Sequence, residues 1–106
     1  MPTPHHISPG VKRTLLVLGK DLKEARLRRR LTAEVVAERA GISRPTLRRV
    51  EAGNEGVSMG IYASVMQAVG LLDNLKGVAD ISNDAVGRAI IGEQLTPQRA
   101  KRKSKE

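Results

Sequence analysis

Aromatic residues are almost missing from this chain of 106 residues, which has one Tyr, no Phe and no Trp. A core must then be assembled from Leu, Ile, Val, Ala and Met, a set that suits packed helices better than sheets. Cysteine is absent altogether, which excludes a disulfide frame and a thiolate metal site. No apolar run reaches the length needed to span a bilayer, so no membrane segment is expected. Residues 1–10 also lack the charged and apolar regions of a signal peptide, and a cytoplasmic protein is the expectation. The two His are neighbours, His5 and His6, with no third ligand near them, so no metal site is expected. Nothing resembles an activated nucleophile or a glycine-rich phosphate loop ahead of a helix. We therefore expect neither an enzyme nor a cofactor.

What is present is basic charge, in excess by +8. Residues 20–30 hold Lys20, Lys23, Arg26, Arg28, Arg29 and Arg30 against Asp21 and Glu24. Residues 99–106 hold Arg99, Lys101, Arg102, Lys103 and Lys105 against Glu106. These two segments account for the excess. Solubility alone would explain such a surface, but the first segment runs directly into a pattern that makes phosphate attraction the better account.

That pattern lies between Thr32 and Glu51 and reads as two short helices joined at Gly41. A helix-turn-helix crosses its two helices at a sharp angle within a few residues. Ala37 is the small residue such a crossing needs, and Gly41 supplies the positive φ of the turn. Ile42 is an apolar turn residue expected to point inward. Ser43 can cap the next helix, where Pro45 falls in the first turn and costs little. Leu47 and Val50 form the inward face, which leaves Arg44, Thr46, Arg48 and Arg49 pointing elsewhere. Double-stranded DNA is accordingly the first partner to consider.

Along the chain, residues 1–10 carry three Pro and no charged residue and are expected to be disordered. Val11, Leu15, Leu18, Leu22 and Ala25 recur at helical spacing, interrupted only by Gly19. One long helix, or a lead-in followed by a helix from Leu18, fits equally. Helices are expected over about residues 33–40 and 44–52. A loop at 53–56 follows, then a helix capped by Ser58 with Ile61, Val65, Ala68 and Leu72 inward and Tyr62, Met66 and Val69 beside them. A short helix over 71–78 completes a helix-turn-helix domain of residues 11–80. Residues 81–94 are expected to form a C-terminal helix or dimerisation segment, and 95–106 a mobile basic tail.

The run LKEARLRRRLTAEVVAERAGISRPTLRRVEAG, residues 22–53, resembles the lambda-repressor-like domain of the Xre/Cro family, through Ala37, Gly41, Ile42, Leu47, Val50 and Glu51. The resemblance implies an all-α, five-helix bundle with a short C-terminal extension. Residues 53–75, GNEGVSMGIYASVMQAVGLLDNL, are similar to the HipB-type group within it, antitoxin repressors encoded beside HipA-type protein kinases. Carried onto this sequence, the resemblance implies base readout by Ser43, Arg44, Pro45 and Arg49, and a structural ion pair between Arg26 and Glu51. Arg44 and Arg49 have the group for bidentate contact with guanine. Thr32, Thr46, Arg48, Arg28, Arg29 and Arg30 are assigned to the DNA backbone. The sequence departs from the family pattern at Ala33, which replaces a Gln that meets the backbone, at Ala52, which replaces a commonly polar residue, and at Glu55, which stands where many repressors have Lys or Arg.

Three functions follow as expectations. The first is a homodimeric repressor of an inverted-repeat operator that also neutralises a HipA-like Ser/Thr kinase toxin and regulates its own operon. Bound to DNA, it would be associated with the bacterial nucleoid. The second is a stand-alone Xre-type regulator, and the third a protein-interaction module without DNA binding. A preference for the promoter repeat over random duplex separates the third from the others, and copurification of a kinase separates the first from the second.

Overall fold

The computed structural model describes residues 6–93. Among these residues every regular element is helical: α1 (Pro9–Arg28), α2 (Ala33–Ala40), α3 (Arg44–Glu51), α4 (Met59–Ala68), α5 (Leu72–Lys76), a 3-10 turn (Ile81–Asn83) and α6 over residues 85–93. The all-helical fold that the composition favours and the family resemblance implies is the fold found. Residues 1–5 of the region expected to be disordered, and the basic tail, lie outside the described residues. Pro9 and Gly10 correct one boundary, because they are the first turn of α1 and not part of a disordered arm. The physical reason is the cap: the Val11 N–H donates to Ser8 Oγ, and proline at the first helical position sacrifices only an N–H that has no partner in the helix.

Three further helices begin in the same manner, with Thr32, Ser43 and Ser58 each accepting the N–H three residues on. Such a cap contributes about 1 kcal/mol. Helices of 8 or 10 residues are too short to persist alone, so their stability comes from packing.

The chain divides into two compact units after Leu72, ahead of the boundary expected at residue 80. The core of the first unit ends at Val69, and Gly70 closes α4 in the left-handed conformation. In this unit α2 packs on α3 and α4, and α1 packs on α3. Its core is Leu22, Ala25, Val36, Ala37, Leu47, Val50, Tyr62, Val65, Met66 and Val69, all nearly free of solvent.

Two expected faces are rotated or shortened in the structure. On α4 and its C-cap the buried residues are Tyr62, Val65, Met66 and Val69, while Ile61 and Ala68, and Leu72 at the start of α5, are only half-buried. α4 packs against both α2 and α3, and its buried stripe is the row of Tyr62, Met66 and Val69, with Val65 alone from the other row. On α1 the helix is unbroken, but Val11 is exposed and burial begins only at Gly19.

Gly19 is not an interruption. A Cβ placed there would lie 2.5 Å from the Gly53 nitrogen and 2.6 Å from the Val50 oxygen, and one on Gly53 would lie 2.4 Å from the Leu15 oxygen. The two glycines let the backbone of α1 rest directly on the end of α3.

The second unit is held by polar contacts. Arg88 Nη1 donates to the carbonyls of Ile81 and Ser82, Asn83 Nδ2 donates to the Gly77 carbonyl, and Asp80 caps the 3-10 turn by accepting from the Ser82 N–H. The hydrogen bond that the Ser82 hydroxyl donates to the Asp80 carboxylate, together with that from the Ser82 N–H, holds the Asp80 carboxyl below its ordinary pKa. Val78, Ile81, Val86, Ile90 and Ile91 are exposed.

Candidate nucleic-acid interface

The site is organised by α3. Leu47 and Val50 are 1 % and 0 % exposed and anchor the helix from behind. At about 100° per residue they leave Pro45 and Ala52 at the centre of the outward face. Arg48 and Arg49 flank that centre at similar angles, and Arg44 lies further round. Ser43, Arg44, Pro45, Arg48 and Arg49 are all exposed. Arg48, assigned to the DNA backbone from the sequence, is thus as close to the outward axis as Arg49, and its position on the helix does not set it apart from the residues assigned to base readout.

The polar side chains of α3 are linked. Ser43 Oγ accepts the Thr46 N–H at 3.2 Å and lies 2.9 Å from Thr46 Oγ1, to which Arg49 Nη2 donates at 3.3 Å. This chain reduces the freedom of the Arg49 guanidinium before any ligand arrives, which lowers the entropy cost of binding. Arg49 and Thr46 also line a cleft of about 490 Å³ whose far wall includes Asn54, Ser58 and Ile61. Residue spacing along one helix could not reveal that wall.

Arg26 and Glu51 meet across the bundle. Arg26 Nε donates to Glu51 Oε2 at 2.7 Å and Nη2 to Oε1 at 3.1 Å, while Nη1 donates to the Leu31 carbonyl at 3.2 Å. Both side chains are 10 % exposed. The Glu51 hydrogen bond, with a smaller contribution from its charge, raises the Arg26 pKa above its ordinary value against the opposing effect of burial. One guanidinium therefore ties α1 and the entry to α2 to the end of α3, in the two-pronged geometry that suits Arg and carboxylate. Behind the loop that follows α3, Tyr62 donates its hydroxyl to the Asn54 carbonyl at 2.7 Å. Burial raises its phenol above the usual pKa.

The residues assigned to the DNA backbone do not form one group. Thr32 caps α2 with its oxygen accepting the Val35 N–H. Arg29 folds back to donate to the Ala25 carbonyl at 3.0 Å, whereas Arg28 and Arg30 are exposed with no such bond. Glu55 is exposed in the loop after α3. Among the described residues no cluster of His, Asp or Glu is arranged to hold a metal ion, and no helix is long and apolar enough to cross a membrane.

Two short helices, α2 and α3, packed on each other and joined through the left-handed Gly41, with the second exposing cations and burying aliphatic side chains, define a DNA-binding helix-turn-helix. A family model described as a helix-turn-helix domain matches residues 17–76, and the chain belongs to that family. No curated protein and no solved structure is detectably similar to it.

Proposed function

We propose that this protein is a sequence-specific transcriptional repressor of the Xre/Cro type, binding an inverted-repeat operator as a two-fold dimer in the bacterial cytoplasm. The observation that carries the reading is the outward face of α3, where exposed Arg44, Arg48 and Arg49 stand on a buried Leu47–Val50 footing. In this reading Ser43, Arg44, Pro45 and Arg49 meet base edges. Phosphates are met by Arg48, Thr46, Thr32 and the basic end of α1. Arg26 and Glu51 brace the recognition helix. One such helix reads only a few base pairs, so two copies are needed for useful affinity and specificity.

The finer assignment is antitoxin to a HipA-like Ser/Thr kinase, supported by the resemblance of residues 53–75. The alternative is a stand-alone regulator. It is favoured by the burial of Tyr62, Val65, Met66 and Val69, which commits these residues of the segment to the core and not to a partner surface. Copurification of an untagged kinase with the protein expressed from its native operon supports the antitoxin assignment, and its absence supports the alternative.

The DNA-binding reading is tested by titrating the chain's own promoter repeat and a random duplex in moderate salt. The expected result is preference for the repeat, with affinity falling steeply as salt rises. Arg49→Ala should relax the preference at one position of each half-site, at a cost of about 1–3 kcal/mol of discrimination. Equal affinity of the wild-type protein for both duplexes would remove the proposal.

A further inference from the structure

The first four helices close in the same way. The N–H just past each end donates to the carbonyl five residues back: Leu31 to Arg26 at 3.1 Å, Ile42 to Ala37 at 3.0 Å, Asn54 to Arg49 at 2.9 Å and Leu71 to Met66 at 2.8 Å. This closure requires the residue before the donor to adopt a left-handed backbone conformation. After α2, α3 and α4 that residue is Gly41, Gly53 or Gly70, with φ of +70°, +70° and +81°. After α1 it is Arg30, with φ of +54° and no other non-glycine like it among the described residues.

At Gly41 and Gly70 a Cβ would meet nothing within 4 Å, so backbone conformation, not space, accounts for glycine there. The sequence meets that demand at the other closures and departs from it at one. Glycine at position 30 would keep every bond of the cap and release the strain. The fold gains nothing from a side chain at this place, and strain of this kind concentrates where a side chain has a task outside the fold.

The side chain is also unoccupied. The Arg26 guanidinium is spent on Glu51 and the Leu31 carbonyl, and that of Arg29 on the Ala25 carbonyl. The Arg30 side chain has no hydrogen-bond or ion-pair partner among the described residues. It stands two residues ahead of Thr32, the cap of α2, whose first turn of Ala33, Glu34 and Val35 brings no cation and one carboxylate. In a helix-turn-helix the first helix of the pair crosses the DNA backbone, so a cation at its entry is placed for phosphate.

We propose that Arg30 is the phosphate-gripping arginine at the entry to α2, kept at a strained position so that stability is given up for affinity. The inference rests on the DNA-binding reading above and deepens it. A guanidinium fork holds two phosphate oxygens without reporting base identity.

The test uses the full chain as wild type, Arg30→Gly and Arg30→Lys, with melting curves and titrations of the promoter repeat and a scrambled duplex over a range of salt. Arg30→Gly should melt roughly 4–8 °C higher. It should bind both duplexes roughly 3- to 10-fold more weakly, with a slope of log K against log salt shallower by about 0.9. Arg30→Lys should recover most of the affinity and slope without the gain in melting temperature. An Arg30→Gly protein that melts higher yet matches the wild type in affinity and slope overturns the proposal, as does a loss confined to one duplex. If the wild-type protein binds neither duplex, the DNA-binding reading itself fails, and this inference with it.

Discussion

Adding one methyl group at Gly19 sets two known effects against each other. Alanine in a helix interior is favoured over glycine by about 1 kcal/mol, so in open space the change would stabilise α1. The space is not open. The new Cβ would lie 2.5 Å from the Gly53 nitrogen, 2.6 Å from the Val50 oxygen and 2.9 Å from the Glu51 oxygen, all backbone atoms at the end of α3. None can swing aside as a side chain would, and forced overpacking costs up to about 3 kcal/mol. The clash should win by about 2 kcal/mol, which lowers the melting temperature by roughly 8–16 °C in a domain of this size. Gly10 is the internal control: it lies in the first turn of the same helix, and a Cβ there meets only side-chain atoms at 3.8 Å and 3.9 Å. Gly10→Ala should therefore stabilise by a few tenths to about 1 kcal/mol. Thermal unfolding followed by far-ultraviolet circular dichroism measures both. A Gly19→Ala protein at least as stable as wild type would mean that α1 does not rest on the Gly53 turn, and the account of how α1 holds the recognition helix would be wrong.

Two further changes test the supports of the site. Glu51→Ala leaves the Arg26 guanidinium nearly buried with only the Leu31 carbonyl as partner, and should cost about 3 kcal/mol in urea unfolding before base preference alters; altered preference at unchanged stability would make the pair a DNA contact and not a brace. Tyr62→Phe removes the 2.7 Å bond to the Asn54 carbonyl and should cost about 1 kcal/mol at neutral pH. Its pH dependence has a definite sign. Because burial raises the folded phenol above its ordinary value, the stabilisation from a protonated Tyr62 is complete below about pH 10 and is lost as pH rises through the raised folded value. The wild-type protein should therefore lose stability in that alkaline range relative to Tyr62→Phe, and parallel pH profiles would refute the argument.

The helix-turn-helix was readable because its requirements are local. Ala37 at the crossing, Gly41 in the turn, Ser43 as cap and Leu47 with Val50 inward are set by spacings of a few residues, and the structure buries or exposes each accordingly. The site was less readable. The equal placing of Arg48 and Arg49 about the outward axis follows from an inward Leu47 and Val50 and could have been worked out from their spacing. The cleft beside Arg49 needs the loop and α4 to return alongside α3. The link from Ser43 through Thr46 to Arg49 had a local signal in its spacing of three and three, a row along one helix face that could have been noticed.

Composition and short-range spacing were enough to settle that this chain is helical, that it carries a helix-turn-helix, and that its second helix offers cations, since periodicity and capping depend on neighbours along the chain. Long-range packing settled the remainder. Gly19 looks like a flaw in a stripe until the end of α3 arrives against it, and the buried row of α4 is chosen only when α2 and α3 press on it together. Arg30 is likewise one more surface charge until the closure of α1 turns its backbone left-handed. Each of these depends on atoms brought close by the fold, which no pattern within a single segment contains.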